Sequence, residues 1–436
     1  MERLIRSGVA ICLLAMLCGC GAGTGPTMPD ANRNSNPPPG QSSTQPPASE
    51  PTSGLLQPSD LSYLGAFALP EPSGGSSWEY GGDGLAYYPD GEPEGPDDGF
   101  PGSLFGVGHD WEKQVGEIAI PEPRTDGEPN VAQTLRPFRD VHSRVGRLGA
   151  LNEMLRVGIE YLPPQGGQST GKLYLCFGQH FQEEDLQIPS HMWCETDLTG
   201  SAGAWRVGAA NIYSANDYMF EIPQAWAEEN VPDKRLATGR FRDGGWSGQG
   251  PSLFAIGPWN HGNPPADGTV LDAVTLLRYD STATDEEPWR TMNGYHHSDE
   301  WMGGAWLEAN GRGAVIFVGT KGTGECWYGL PDGTVWEEPY PEDPTGERGW
   351  WSTGFSGQMI FYSPADLADV ARGRKQPWEP QPYATLDLDA TLRHVTQTQQ
   401  KHHVGDCAFD RRRGILYVME PFADGDRPLV HVWRLQ

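Results

Sequence analysis

Five short apolar runs, each followed or preceded by a Gly- or Asp-rich turn, constrain this chain more than any other feature. They are Ser103–Gly108 (SLFGVG), Lys172–Gly178 (KLYLCFG), Ser252–Gly257 (SLFAIG), Ala314–Gly319 (AVIFVG) and Ile415–Met419 (ILYVM). Runs this short, rich in β-branched and aromatic residues, read as strands. A first strand precedes each, at Gly84–Tyr88, Leu155–Tyr161, Gln249–Ser252, Gly303–Glu308 and Gly405–Phe409. A third follows each, at Val115–Ile120, Met192–Leu198, Thr275–Tyr279, Glu325–Gly329 and Leu429–Leu435. A repeated strand–turn–strand unit argues for a radial β architecture.

The expected fold is therefore all-β: a β-propeller over residues 59–436, with five blades as the direct reading. Six or seven blades stay open, because Trp205–Glu221 and Trp350–Tyr362 offer further strands. The unit spacing, roughly 60 to 100 residues, is too uneven for a WD40-type array. Ser62–Leu69 is expected to close the ring against the last unit, leaving few open edges. A pair of β-sandwiches is the rival. Short helical insertions are expected at Gln224–Glu229 and Pro364–Gly373, the second capped by Ser363 or Asp366.

In an up-and-down blade, the loop before the first strand and the loop after the second emerge on one face. Assigned that way, the loops place seven of the 11 histidines together: His109, His180, His261, His296, His297, His402 and His403. Carboxylates and tryptophans accompany them. Three readings compete for this face.

The first is a carbohydrate site. Trp111, Trp246, Trp259 and Trp301 would stack on sugar rings, and Asp110, Glu79, Asp299 or Glu300 would act as acid and base. Glycoside cleavage needs two carboxyl groups roughly 5 to 10 Å apart, one of them holding a proton. A lyase variant would use His109, His180 or His402 as base, with Lys321 neutralising a substrate carboxylate. The second reading is a divalent metal, Zn or Ca, with His261, His297 and His403 as ligands. Adjacent histidines on a strand point to opposite faces, so His296-His297 and His402-His403 each offer one ligand at most. Asp424-Gly425-Asp426 suits Ca²⁺ but is more simply an acidic turn. The third reading is structural: His–Asp bonds and packed Trp side chains join blades, and the propeller scaffolds a protein assembly without being an enzyme. GxSxG is absent, and Gly319–Gly324 lacks Walker spacing, so neither a serine-hydrolase elbow nor a phosphate loop is expected.

The N-terminus addresses the compartment. Arg3 and Arg6 precede the apolar core Val9–Leu17, which is too short to span a bilayer. Leu17-Cys18-Gly19-Cys20 follows and resembles a bacterial lipobox. That resemblance implies a signal peptide over 1–19 and lipid attachment at Cys20, stable anchoring coming from several acyl chains. Gly21, in place of Asp, implies the outer membrane by known sorting rules. Residues 20–58 are dense in Pro, Ser, Gly, Asn and Gln and are expected to be a disordered tether. Together with the strand repeat, the chain resembles the secreted β-propeller lipoproteins of environmental bacteria. Glycosidases on five-bladed propellers place carboxylates around a central funnel, and the loops here allow that, though no diagnostic string is present.

Charge narrows the partners. Removing residues 1–19, with Arg3, Arg6 and Glu2, leaves 29 basic against 57 acidic side chains, a net −28. Nucleic acid is disfavoured as a partner, because its phosphates would be repelled. Of the cysteines after Cys20, Cys176 and Cys194 fall on neighbouring strands. A bridge between them, with Cys326–Cys407 as its complement, stands beside the alternative of free thiols.

Overall fold

Strands that alternate their side chains between two faces must find cover for both, and the five runs find it in one another. In the computed structural model the described residues are 54–92, 100–146, 148, 154–179, 189–210, 215–241, 248–279, 290–344, 346–393 and 401–436. They form five antiparallel meanders. Blade 1 is Leu85–Tyr88, Ser103–Val107, Val115–Ala119 and Thr134–Arg139. Blade 2 is Met154–Leu162, Lys172–Gln179, His191–Glu195 and Ala202–Val207, with Val270–Leu271 added in parallel at its edge. Blade 3 is Tyr218–Glu221, Leu236–Gly239, Leu253–Ile256 and Ala273–Leu277. Blade 4 is Glu300–Ala309, Arg312–Gly329, Gly349–Tyr362 and Ala384–Asp387, and Gly54–Leu55 pairs beside its second strand. Blade 5 is Cys407–Asp410, Ile415–Asp424, Arg427–Leu435 and Leu61–Ala68.

The first strands of the blades pack side by side in order, and blade 5 meets blade 1. The protein is a five-bladed β-propeller. Ring closure uses the segment expected for it: Leu61–Ala68 pairs antiparallel with the last strand, Leu61 opposite Leu435 and Ala68 opposite Leu429. The outer strand of blade 5 is thus supplied from the other end of the chain.

Burial follows the strand period. In blade 2, Leu173, Leu175 and Phe177 join the apolar cluster shared with blade 1. Their neighbours Tyr174 and Cys176 join the cluster shared with blade 3. In blade 4, Val315 and Phe317 face blade 3 while Ala314, Ile316 and Val318 face blade 5. In blade 5, Ile415, Tyr417 and Met419 face blade 1, and Leu416 and Val418 face blade 4. This is why runs such as LYLCF and AVIFV are apolar without alternation. Each fully buried Leu, Val or Phe contributes about 1.5–3 kcal/mol of transfer free energy, so the five interfaces are the main source of stability.

Close to the axis the first strands crowd. A Cβ on Gly158 would lie 2.6 Å from Tyr218 Cα, and one on Gly303 would lie 2.4 Å from Asp406 Oδ1. Only glycine lets the strands approach this far. The two helices, Gln224–Asn230 and Pro364–Ala371, pack as insertions on the outside, and the Ser363 hydroxyl accepts a hydrogen bond from Asp366 N–H. No helix among the described residues is long and apolar enough to cross a membrane.

Blade 3 departs from the sequence reading. Leu253–Ile256 is its third strand, not its second, and Thr275 lies on its outer strand. Its true first and second strands, Tyr218–Glu221 and Leu236–Gly239, have four residues each. Runs that short carry little periodic signal. Glu325–Gly329 likewise continues the second strand of blade 4. Cys176 and Cys194 do lie on neighbouring strands, but Cys176 faces His191 and Cys194 faces Leu173 across the ladder. These two, with Cys326 and Cys407, are free thiols.

One inter-blade link is sensitive to pH. His191, on blade 2, sits 2.9 Å from Thr238 Oγ1 of blade 3 through Nε2 and 2.9 Å from Ser190 Oγ through Nδ1. Complete burial pushes its pKa down to about 3. The unfolded chain takes up the proton near pH 6.5 and the folded chain does not, so stability falls as pH drops from 6.5 towards 3. Wild type should lose roughly 2 kcal/mol more between pH 7 and pH 5 than His191→Gln, measured by urea denaturation. Parallel pH profiles for the two proteins would refute this.

Candidate functional site

Four first strands begin with an acid pointing toward one end of the axis: Asp83 before Leu85, Asp217 before Tyr218, Glu300 at the head of its strand, and Asp406 before Cys407. In blade 2 the corresponding place holds Arg156. Its Nη2 donates to Glu300 Oε2 at 3.0 Å. Blades 2 and 4 are not neighbours, so this bond crosses the mouth of the central channel. The guanidinium also lies 4.4 Å from the Phe241 ring centroid, with Arg240 at 5.1 Å from the same ring.

Burial works against the charge of Arg156, but Glu300 first, then Asp83, Asp217 and Asp110, outweigh it and hold the cation. For Glu300, burial pushes its pKa up; Arg156 and then His402, whose Nδ1 is 3.3 Å away, pull it well below the usual carboxylate range. Asp217 behaves in the opposite way. Burial dominates and raises its pKa, although Arg240 Nε lies 3.3 Å from its Oδ2. Asp83 accepts from Lys113 Nζ at 3.0 Å, and Lys113 also bonds Asp110. Asp299 is sealed: Lys321 Nζ and Gly322 N–H donate to its Oδ1 at 2.8 and 2.9 Å, and His296 N–H to its Oδ2 at 3.0 Å.

Exposure separates these carboxyls. The Asp217 side chain is 1 % exposed and Asp406 is fully buried, its two oxygens taken by the N–H groups of Leu85 and Cys407. The Asp83 side chain is 18 % exposed and that of Glu300 7 %. Asp83 and Glu300 are thus the more accessible of the four, while Asp406 joins blade 5 to blade 1 and Asp217 is held within blade 3 by Phe241 N–H and Arg240.

Aromatic side chains stand over the same face. Beyond Thr320, which pairs with Glu300, the second and third strands of blade 4 continue as a two-stranded ribbon. Trp327 pairs with Trp351 and Tyr328 with Trp350. The ribbon is tied down by His297 stacked on Trp350 at 4.2 Å and by Lys401 Nζ 4.7 Å from the Trp351 ring.

Of the residues singled out from sequence, Asp110, Glu300 and His402 come together around Arg156. His109 sits further out, against Tyr80 and Ser77, and Trp111 is 88 % exposed on the same loop. Several placements correct the sequence reading. Trp259 and His261 follow the third strand of blade 3, so they lie on the opposite face. Trp259 is buried beside Tyr174, and His261 Nε2 accepts from Asp272 N–H. Trp301 is fully buried in the cluster between blades 3 and 4 and is not placed to stack on a ligand. Lys321 is bound to Asp299 and Gly322 O. His297 stacks on Trp350, and His403 lies 3.8 Å from Asp389. Among the described residues no group of three or more His, Cys, Asp or Glu is placed to hold a metal. Asp424 pairs with Arg427 and Asp426 accepts from Tyr80 O–H, as an acidic turn would. His180, Trp246 and Cys20 lie outside the described residues.

No protein-family model and no curated protein matches the chain. Solved structures do. One is an α-L-arabinofuranosidase from Fusarium graminearum, determined in complex with an iminosugar inhibitor. It is 8 % identical, aligns over 85 % of this chain and 97 % of its own, and has a TM-score of 0.37. A likeness at that level carries no argument here; the geometry of the face does.

Sequence reasoning missed Arg156, Asp83, Lys113, Asp217, Arg240 and Asp406. A signal existed. Aligning the units on their first strands, not their second, shows the acid that heads four of them.

Proposed function

We propose that the axial funnel binds a neutral carbohydrate and hydrolyses it, with Glu300 and Asp83 as the two carboxyl groups. The observation that supports this is that four cations described at this face each hold a carboxylate. Lys113 holds Asp83 and Asp110, Arg156 holds Glu300, Arg240 holds Asp217, and Lys321 holds Asp299. A uronate chain would need cationic charge to spare, so a lyase with Lys321 as its neutraliser is disfavoured. A neutral sugar needs only donors and acceptors side by side, which such an array offers.

Two carboxyl groups flanking one bound bond are what glycoside hydrolysis requires. Glu300, held ionised, serves as base or nucleophile. Asp83, held by Lys113 and 18 % exposed, is the second carboxyl group of the pair. Arg156 positions Glu300, and Lys113 positions Asp83. On the ribbon Tyr328, 37 % exposed, offers a ring for the apolar side of a sugar. The test is a comparison of neutral and uronic oligosaccharides as substrates; turnover of uronates alone would overturn the reading.

The Leu17–Cys20 motif and the Pro/Ser-rich stretch after it support a lipid-anchored protein at the cell envelope, with the propeller held off the membrane by the tether. Cys20→Ala should move the protein from the membrane fraction to the soluble one. Unchanged fractionation would contradict the anchor.

A further inference from the structure

We propose that His402 supplies the proton to the leaving oxygen and is thus a catalytic residue of the funnel. The proposal rests on the glycosidase reading of the funnel and names the acid of that same site. Cleaving a glycosidic bond needs one group that gives a proton as well as one that takes a proton up. The carboxyl pair supplies only the second. Against the effect of burial, Arg156 and His402 hold Glu300 ionised. Asp83 and Asp110 both accept from Lys113 Nζ, and a carboxylate in such a pair has no proton to give.

Asp217, Asp406 and Asp299 lie nearby but are shut off from a ligand. Burial raises the pKa of Asp217, yet its side chain is 1 % exposed and bonded to Phe241 N–H and Arg240. Asp406 is fully buried against the N–H groups of Leu85 and Cys407. Asp299 is sealed by Lys321, Gly322 and His296. Other histidines of the face are also unsuited. His109 Nδ1 accepts from Trp111 N–H at 3.2 Å, so that ring is neutral. Burial, then Lys321, lowers the pKa of His296. His297 is stacked on Trp350, and His403 is buried beside Asp389.

His402 differs from all of these. Its Nδ1 lies 3.3 Å from Glu300 Oε2, its side chain is 40 % exposed, and Nε2 has no partner among the described residues. Both nitrogens of an imidazolium are donors: Glu300 holds Nδ1–H, and Nε2–H is left for a ligand. Histidine changes charge within the physiological range, so it can give a proton and regain one in each cycle. The Nε2 proton passes to the glycosidic oxygen as the bond from that oxygen to the anomeric carbon breaks, and the alcohol leaves neutral. Water adds its oxygen to the same carbon and gives a proton to a carboxylate of the pair. Solvent then returns a proton to His402 and takes one from the carboxylate.

The experiment gives the full-length protein cello-, xylo- and galacto-oligosaccharides, and the dinitrophenyl glycosides of the same sugars, whose leaving group departs without a proton. On the oligosaccharide that wild type cleaves, His402→Ala should lower kcat/KM by about 10²- to 10⁴-fold. On the matching dinitrophenyl glycoside the same variant should stay within about threefold of wild type. His402→Gln keeps a hydrogen bond to Glu300 but has no acidic proton, so it should behave as His402→Ala does. Recovery of oligosaccharide cleavage in His402→Gln, or equal losses on both substrates, would make His402 a support for Glu300 and overturn the proposal, leaving the funnel reading standing. No turnover of either kind of substrate by wild type would remove both.

Discussion

Glu300→Gln should lower kcat/KM on a neutral oligosaccharide by about 10³-fold or more, the size of effect expected from deleting a positioned general base. The substitution keeps the shape of the side chain and an acceptor oxygen for Arg156, whose Nη2 lies 3.0 Å from Oε2. It removes the negative charge that Arg156 and His402 stabilise. Ground-state binding should therefore survive, and the loss should fall on kcat more than on KM. Because the pKa of Glu300 is held below the usual range, its contribution to stability is present above the unfolded value and is lost only as pH falls through the folded one. At neutral pH the variant forgoes that contribution but still folds, since Asp83, Asp217 and Asp110 continue to balance Arg156. A folded Glu300→Gln protein with near-normal turnover would assign the chemistry elsewhere.

Asp406→Ala should be the most damaging single change to stability. Asp406 is fully buried at the seam between blades 5 and 1. Its Oδ2 accepts from Leu85 N–H at 2.9 Å and its Oδ1 from Cys407 N–H at 2.7 Å. Its own N–H donates to Gly82 O at 2.8 Å. Alanine leaves two buried donors without acceptors, each costing about 1–3 kcal/mol. A total of about 4 kcal/mol corresponds to a fall in Tm of roughly 5 °C for a domain of this size. Asp406→Asn retains one acceptor oxygen and should fall between. A Tm for Asp406→Ala within 2 °C of wild type would show that the seam does not depend on this carboxyl. The contrast with Glu300 matters: both acids head first strands, but one faces the funnel and the other closes the ring.

The architecture was legible because it is written in apolar runs. KLYLCFG and AVIFVG are long enough to be recognised, and their lack of alternation reflects burial between two blades. Ring closure by Ser62–Leu69 was legible because an unpaired edge strand at each end of the chain invites pairing. Blade 3 was not, since YMFE and LATG are too short to show a period, and the misplaced SLFAIG run carried Trp259 and His261 to the wrong face. The site was legible only in part. Histidine and tryptophan stand out in loops, and attention to them found Glu300 and His402 but also buried Trp301. Arg156, which organises the funnel, is an ordinary arginine in a strand, MLRVGIEYL. Its role arises from a bond across the channel to a residue 144 positions away, a relation that no local pattern encodes.

The most direct test of the central claim follows the anomeric proton signals of neutral oligosaccharides by NMR, with the wild-type protein and with Glu300→Gln. The account predicts new reducing-end signals from at least one neutral oligosaccharide with wild type, essentially none with the variant, and retained binding by the variant. Release that is unaffected by Glu300→Gln, or no release and no binding from any neutral glycan, would contradict it.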